Sequence, residues 1–211
     1  DGDAGLSGLA LARDANLHEL PPAIESSQLT QCQASPRAGL PEEAEPMSQR
    51  FKPSVTVAAV IEQDGRYLIV EEDTPEGLRL NNPAGHLEQG ESPLEAVVRE
   101  ALEETARPFT PTAFLGIYLA RFLRPATQDD VTYVRLAFSG TVGEAIAGRQ
   151  LDAGIRRTLW LSLDELAACQ PLHRSPLVLQ CVRDHAAGQR LPLDAVFSHG
   201  SLSQPLTLMP S

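Results

Sequence analysis

Residues 85–104 read GHLEQGESPLEAVVREALEE and carry the most informative pattern in this chain of 211 residues. A loop containing glycine and glutamate leads into Ser92-Pro93-Leu94-Glu95, a capping box that predicts a helix from Ser92 to about Thr105. At 100° per residue, the apolar positions of this segment form one stripe that must face a sheet. The stripe consists of Leu94, Val97, Val98, Ala101 and Leu102.

Three carboxylates gather on the same helix at Glu100, Glu103 and Glu104, at positions i, i+3 and i+4. We expect Arg99, Glu100 and Glu103 to face away from the sheet, with Glu104 at the edge of the stripe. The alternative is an ordinary solvated face. However, the helix dipole disfavours anions in this half of the helix, and no lysine at i+4 relieves the repulsion. A hard divalent cation would relieve the repulsion between these carboxylates. Mg²⁺ is such a cation and is commonly shared between carboxylates and substrate phosphates.

The rest of the pattern predicts strands and two further helices. The apolar runs 55–61 and 67–70 flank the turn signal 63–66, which predicts a buried β-hairpin. Further strands are predicted at 114–122, 131–138 and 158–161, and capped helix starts at Ser162 and Ser175. Gly188 is a typical residue for the end of the last helix. This order of elements indicates a mixed α/β or α+β sandwich.

The spacing of Gly85, five residues, Glu91, seven residues and Arg99-Glu100-Ala101-Leu102-Glu103-Glu104 resembles the Nudix box, the signature of the Nudix hydrolase family. The resemblance implies an α+β fold, namely the Nudix α/β/α sandwich with a mixed β-sheet and a loop-helix-loop metal site. The pattern departs at Ala106, where the family expects glycine, and at Arg107, where it expects an aliphatic residue. These two positions affect the helix exit and leave the carboxylates in place.

The resemblance also implies roles for residues of the box. The metal ligands would be Glu100, Glu103, Glu104 and the carbonyl of Gly85. They would hold Mg²⁺, or Mn²⁺ as a substitute for Mg²⁺. The catalytic residues would be Glu100, which also orients or deprotonates the attacking water, together with Glu103 and Arg99. Glu91 would be structural, held by charge-assisted hydrogen bonds from Arg99.

Outside the box, the chain is similar to a bacterial phosphatase branch of the same family. The similar stretches are 51–58, 81–88, Trp160 with Ser162, 174–178 and 188–193. The resemblance implies as substrates thiamine pyrophosphate, its pyrimidine pyrophosphate precursor, and nucleoside di- and triphosphates.

Candidate substrate-binding residues come from outside the box as well. Arg121 and Lys52, with Arg124 as an alternative, have the charge to clamp phosphate. Tyr118 is a candidate for stacking on a substrate ring, as are Tyr133 and Trp160, although aromatic residues in strands are more often part of a core. Asp152 lies in a connection from which it could reach the metal, as does the pair Asp129-Asp130.

Composition excludes several classes of protein. A net charge of −11 disfavours a nucleic-acid polymer as partner, because binding one requires clustered lysine and arginine. No run of 18 apolar residues and no signal-peptide pattern occurs, so neither a membrane span nor secretion is expected. The three cysteines, Cys32, Cys169 and Cys181, form no metal or disulfide pattern. We therefore expect a cytoplasmic monomer that acts on a small-molecule pyrophosphate.

The predicted domain occupies residues 51–197. Residues 1–50 contain several prolines and no aromatic residue, which predicts a disordered tail. Because Met47 is the first methionine, the alternative is that residues 1–46 come from upstream translation. Residues 198–211 are predicted to be a second, flexible tail.

Three other functions stay open from the sequence. The first is a Nudix enzyme for ADP-ribose, NADH or dinucleoside polyphosphates, which only regions outside the box can decide. The second is a Nudix-fold module that binds a nucleotide without turning it over, which would be indicated by loss of a box carboxylate. The third is a scaffold in which the acidic helix takes Ca²⁺ for stability alone.

Overall fold

The computed structural model describes residues 50–124 and 127–204. The predictions for residues 1–49 and 205–211 lie outside this range. The described elements are β1 (Ser54–Gln63), β2 (Arg66–Thr74), β3 (Gly77–Asn81), β4 (Ala84–His86), α1 (Pro93–Thr105), β5 (Phe109–Leu123), β6 (Asp130–Val142), β7 (Ile155–Ser162), α2 (Leu163–Ala168) and α3 (Leu177–Ala186). Short 3₁₀ helices lie at Gln170–Leu172, Leu193–Ala195 and Gly200–Ser203.

The strands form one mixed sheet in the order β3-β2-β1-β6-β5. Strand β4 pairs with β1, and β7 pairs with β2. Strands β1 and β6 run parallel, with Thr56 opposite Arg135 in their register, whereas the other described pairs are antiparallel. Strand β1 is therefore the centre of the fold, because β2, β4 and β6 all pair with it.

Side-chain alternation along β1 assigns the two faces of this sheet. Val57, Ala59 and Ile61 belong to a core cluster with α1, whereas Val60 belongs to a cluster with α2 and α3. Helix α1 thus covers one face and the other two helices cover the opposite face. This arrangement is the predicted α/β/α sandwich with a mixed sheet. None of the described helices is long and apolar enough to cross a bilayer.

The predicted local signals have direct counterparts in the structure. The Ser92 hydroxyl accepts from the Glu95 N–H at 3.2 Å, and Glu95 accepts from the Ser92 N–H at 2.8 Å. Ser162 and Glu165 form the same reciprocal capping box at the start of α2. The β1–β2 turn has positive φ at Asp64 (51°) and Gly65 (76°), as a tight hairpin requires. Local sequence therefore fixes where α1, α2 and the hairpin begin.

Candidate active site

Strand β4, which pairs with β1, lies against α1 and covers two of its carboxylates. The Ala84 N–H donates to Glu104 Oε2 at 2.7 Å, and a Cβ added at Gly85 would lie 2.1 Å from the Glu100 carboxyl carbon. Glu100 and Glu104 are only 9% and 8% exposed. The prediction that Glu100 faces away from the sheet is therefore wrong, because its carboxylate lies against Gly85 of β4, which pairs with β1 in that sheet. Glycine at position 85 lets this carboxylate approach the backbone of β4, and any side chain there would displace it.

Arg99 is the hydrogen-bonding centre of the carboxylate cluster. Its guanidinium donates to both oxygens of Glu91, with Nε–Oε2 at 3.0 Å and Nη2–Oε1 at 2.7 Å. Nη1 also donates to Glu100 Oε1 at 2.8 Å and to Glu103 Oε2 at 3.0 Å, while Nη2 donates to the His86 carbonyl. Arg99 thus holds Glu91, two helix carboxylates and β4 in one network of charge-assisted hydrogen bonds.

Burial and mutual repulsion shift the acidity of these carboxyl groups. Desolvation is the largest cause that raises the pKa of Glu104, to about 9, and the charges of Glu72, Glu100 and Asp152 raise it further. Desolvation also raises the pKa of Glu100, although Arg99 opposes the shift. In contrast, the hydrogen bonds from Arg99 lower the pKa of Glu91. Glu91 is therefore satisfied by its counter-ion, whereas Glu104 is a buried carboxyl group without one.

The donor set of the cluster fits a hard divalent cation. Its oxygens belong to Glu100, Glu103 and Glu104, with the Gly85 backbone alongside, and Mg²⁺ prefers such oxygen ligands. Within the described ranges, no three acidic, histidine or cysteine side chains surround one point as in a preformed metal site. Arg99 Nη1 instead donates to both Glu100 and Glu103. The carboxylates are therefore held close together by an internal cation.

A cavity of about 500 Å³ borders the carboxylate cluster at β4, because Ala84, Gly85 and His86 form part of its wall. This volume is suitable for a nucleotide-sized molecule. Four arginines line the cavity against two glutamates, a local positive excess in a chain of net charge −11. These residues are Arg79, Arg124, Arg135, Arg174, Glu72 and Glu76. The cavity therefore attracts anions such as phosphates.

One wall of the cavity is aromatic. Tyr133 and Phe122 stack on each other with ring centroids 5.4 Å apart, and the Arg124 guanidinium lies 5.9 Å from the Tyr133 centroid. His86 is 6.3 Å from the same ring. Tyr118 and Trp160, the other aromatic candidates, pack against the two core clusters instead. The structure thus provides an apolar, partly cationic wall suitable for a flat ring.

Two of the candidate substrate-binding residues, Arg124 and Tyr133, line the cavity, whereas four others do not: Arg121, Lys52, Tyr118 and Asp152. Arg121 is exposed and pairs with Asp130, because strand alternation points it to the opposite face from Ala120 and Phe122. Lys52 is exposed, and Tyr118 is half-buried against the core. Asp152 is exposed, but its N–H donates to the Glu103 carbonyl at 3.0 Å. The Asp152 backbone therefore contacts the helix that carries the carboxylate cluster, and substrate binding by Arg121, Lys52, Tyr118 and Asp152 stays a prediction.

Sequence reasoning missed Glu72 and Arg135, which do line the cavity. Arg135 is only 6% exposed and donates to the side-chain oxygens of Asn81, at 3.3 Å, and Asn82, at 3.5 Å. Desolvation lowers the pKa of its guanidinium. The available signal was an arginine at an inward position of the predicted strand 131–138. Burying a charged guanidinium costs free energy, which the hydrogen bonds to Asn81 and Asn82 partly offset.

Comparison with known proteins agrees with this geometry. The model of the NUDIX domain family matches residues 50–180. Phosphatase NudJ from Escherichia coli K12 is 34% identical over 157 residues, which cover 74% of this chain and 97% of that protein. Phosphatase NudJ from Shigella flexneri has the same identity and coverage.

Solved structures give the same result. A NUDIX hydrolase from Nitrosomonas europaea has 50% sequence identity and a TM-score of 0.64, covering 70% of this chain and 98% of its own. A MutT NUDIX hydrolase from Burkholderia pseudomallei is 20% identical with a TM-score of 0.52, covering 64% of this chain and 98% of its own, and so shares the fold. Members of the family generally use divalent metals. The matched domain, the box at residues 85–104 and these relatives together show that the chain belongs to the Nudix hydrolase family and is an enzyme.

Proposed function

We propose that this enzyme uses Mg²⁺ to hydrolyse the pyrophosphate bonds of small diphosphates and nucleotides, releasing phosphate. The proposed substrates are thiamine pyrophosphate, its pyrimidine pyrophosphate precursor, and nucleoside di- and triphosphates. The observation that carries the proposal is that the carboxylate cluster and the cationic cavity meet at β4. The similarity to Phosphatase NudJ supports release of phosphate.

Glu100, Glu103, Glu104 and the Gly85 carbonyl would hold the cation, with Mn²⁺ as a substitute. A bound Mg²⁺ neutralises phosphate oxygens, lowers the pKa of bound water and stabilises the leaving phosphate. The raised pKa of Glu104 supports this assignment, because a cation would favour the ionised form of a carboxyl group that lacks a counter-ion.

The protein's own groups would prepare the attack of water on phosphorus. Glu100 is the group proposed to orient the water and accept its proton, because burial makes its carboxylate a stronger base than an exposed one. Arg99 would keep Glu100 and Glu103 in place through its hydrogen bonds at 2.8 and 3.0 Å. The cavity arginines would bind the phosphates of the substrate, which aligns the bond to be broken.

Phosphate release by the purified protein tests the proposal. We expect release from thiamine pyrophosphate and simple nucleotides with Mg²⁺, and its loss in EDTA. ADP-ribose, NADH and dinucleoside polyphosphates serve as alternative substrates. Turnover of these alone would assign the enzyme to a different group of Nudix pyrophosphatases, and turnover of nothing would favour a nucleotide-binding module. A monomeric state and a cytoplasmic location stay predictions that gel filtration and fractionation would test.

A further inference from the structure

The chain after α3 crosses from one face of the sheet to the other around β5, the strand at one end of the sheet order. Helix α3 packs in the core cluster of its own face, and Leu191 then pairs with Phe114 of β5 through backbone hydrogen bonds of 2.8 and 2.9 Å. Leu193 and Val196 pack against the opposite cluster, which contains residues of α1. Residues 191–204, here called the strap, lie beyond the part of the chain that the family model matches.

The end of the strap lies on the box loop, defined as residues 87–91. Residues 200–203 form a 3₁₀ helix, and the Leu202 carbonyl oxygen lies 3.5 Å from the position that a Cβ would occupy at Gly90. This distance is an ordinary van der Waals contact. Gly90 turns the loop with φ of 92°, and the tip of the loop is exposed. The strap therefore contacts the box loop at its exposed turn.

The box loop supplies a counter-ion of Arg99. Glu91 accepts from the Glu88 N–H at 2.7 Å, and Arg99 donates to both oxygens of Glu91 at 2.7 and 3.0 Å. The same guanidinium donates to Glu100 and Glu103. Hydrogen bonds thus connect the box loop to two of the proposed metal ligands. A change in the conformation of this loop would reach the carboxylate cluster through Arg99.

The composition of the strap suits contact with an acidic loop. Residues 195–204 contain no Asp or Glu, whereas residues 88–95 contain three glutamates. In a chain of net charge −11, a segment without acidic residues can cover this loop without adding repulsion. His199 accepts from the Ser201 N–H at 3.1 Å, which stabilises the 3₁₀ helix that carries the contact.

We propose that the strap is a positioning element that strengthens cation binding by the carboxylate cluster. It holds the box loop in the conformation in which Glu91 meets Arg99, so that Arg99 keeps Glu100 and Glu103 in place before a cation binds. Without this contact, binding of the cation would have to order the loop, which lowers the affinity. This inference rests on the proposed function, because it concerns the proposed metal ligands.

Two shortened chains test the inference. A chain that stops after Phe197 loses the contact with Gly90 but keeps Leu193 and Val196, whereas a chain that stops after Gln204 keeps the whole strap and is the matched control. Groups that support metal ligands contribute about 10- to 100-fold to affinity, and the strap acts one step further away. We therefore expect the Kd for Mn²⁺, measured by calorimetry, to rise about three- to tenfold in the shorter chain only.

The dependence of phosphate release on Mg²⁺ should change in the same way. The Mg²⁺ concentration for half-maximal release should rise by the same factor in the chain that stops after Phe197. In contrast, kcat at saturating Mg²⁺ and KM for the substrate should stay as in the 211-residue chain. A strap that only stabilised the fold would not separate these quantities.

Hydrogen exchange in EDTA gives a readout that depends neither on a metal nor on activity. We expect the amides of the box loop to exchange faster in the chain that stops after Phe197 than in the control, with equal exchange in the last two turns of α1. If this chain does not fold, Leu202→Pro in the 211-residue chain replaces it. Proline removes the N–H that donates to the His199 carbonyl at 3.1 Å and disrupts the 3₁₀ helix.

Failure of this inference differs from failure of the proposed function. If no pyrophosphate is hydrolysed, the proposed function fails, and Mn²⁺ binding and hydrogen exchange still decide the inference. Weaker Mn²⁺ binding together with faster exchange of the box loop supports the role of the strap. Equal Mn²⁺ affinity in the two shortened chains, equal exchange of the box loop, or no Mn²⁺ binding by the 211-residue chain would overturn it.

Discussion

Helices α1 and α3 pack against opposite faces of one sheet but bury different kinds of side chain. Helix α3 buries Leu177, Val178, Leu179, Cys181 and Val182. Helix α1 buries three small or apolar residues together with Glu100, Glu104 and Thr105. Burying a charge destabilises a helix contact unless that charge is paired. The buried face of α3 therefore stabilises the fold, whereas the buried carboxylates of α1 reduce the stability that this helix contributes.

The ends of the two helices repeat this contrast. The last turn of α3 contains Arg183 and His185, as the helix dipole favours, and Gly188 follows with φ of 88°. The last turn of α1 contains no basic residue, and Ala106 adopts left-handed φ of 55°. Helix α1 therefore has three unfavourable features: buried carboxylates, a last turn without a basic residue, and a left-handed alanine at its C-terminal end.

The substitution expected to have the largest effect is Glu104→Gln in α1. We expect kcat to fall at least about a hundredfold, because even groups that only support metal ligands are worth about 10- to 100-fold. The fold should be retained, since glutamine can still accept from the Ala84 N–H. Asp184→Asn, the same type of change in α3, should leave phosphate release within about twofold. Wild-type turnover by Glu104→Gln would remove Glu104 from the proposed ligands.

Two glycine substitutions sharpen the comparison between activity and stability. Gly85→Ala places a methyl group against the Glu100 carboxylate and should lower kcat about a hundredfold, the effect of roughly 1 Å of misplacement. Gly188→Ala has space for its methyl group but an unfavourable φ, so it should destabilise the protein by about 1–2 kcal/mol. Phosphate release should therefore fall in Gly85→Ala, whereas the free energy of urea unfolding should fall in Gly188→Ala. A Gly188→Ala enzyme with a hundredfold loss of kcat would contradict this separation.

The pH dependence of stability should also come from α1. The folded-state pKa of Glu104 is about 9, above its ordinary value of 4.5, so its proton stabilises the metal-free fold below pH 4.5. This contribution is lost as pH rises toward 9. At about 1.4 kcal/mol per pKa unit, we expect a loss of about 2 kcal/mol or more by urea unfolding in EDTA. The loss should be much smaller in Glu104→Gln, and parallel pH curves for the two proteins would contradict it.

The smallest effect concerns the exit of α1. Ala106→Gly should stabilise the protein by about 0.5–1 kcal/mol, because glycine adopts left-handed φ without strain. Loss of the buried methyl group offsets part of the gain. Thermal unfolding measures the change, and phosphate release should stay as in the wild type. A lower melting temperature would show that the packing of this methyl group outweighs the relief of strain.

The sequence predicts α1, its cap and its carboxylates because these depend on residues close together in the chain. The capping box at Ser92 and the turn at Asp64-Gly65 need no partner elsewhere. Strands β3 and β4 are absent from the prediction because neither has an apolar run, and both are formed by pairing with β2 and β1. Because β4 is absent from the prediction, the contact between Glu100 and this strand of the sheet is absent from it as well.

The residues that line the cavity are even harder to predict from the sequence, because they come from distant parts of the chain. Arg121 was a reasonable candidate by charge, but the face of a strand depends on pairing that charge does not reveal. Arg135 and Glu72 come from β6 and β2, which are not adjacent in the sheet. No local pattern predicts that they share a cavity with Thr56. Local motifs therefore revealed the family and the carboxylates, whereas the structure was needed to find the cavity.

The parallel pairing of β1 with β6 has a consequence for how the enzyme is made. Ser54 pairs with Tyr133 and Ile61 with Gly140, so the ends of this contact are separated by more than a third of the chain. Closing so long a loop delays folding relative to local contacts. During synthesis, α1 can form early, but the Thr56–Arg135 contact must wait until β6 has left the ribosome. We therefore expect the carboxylate cluster to form before the cavity, whose wall includes Arg135 and Arg174 from the second half of the chain.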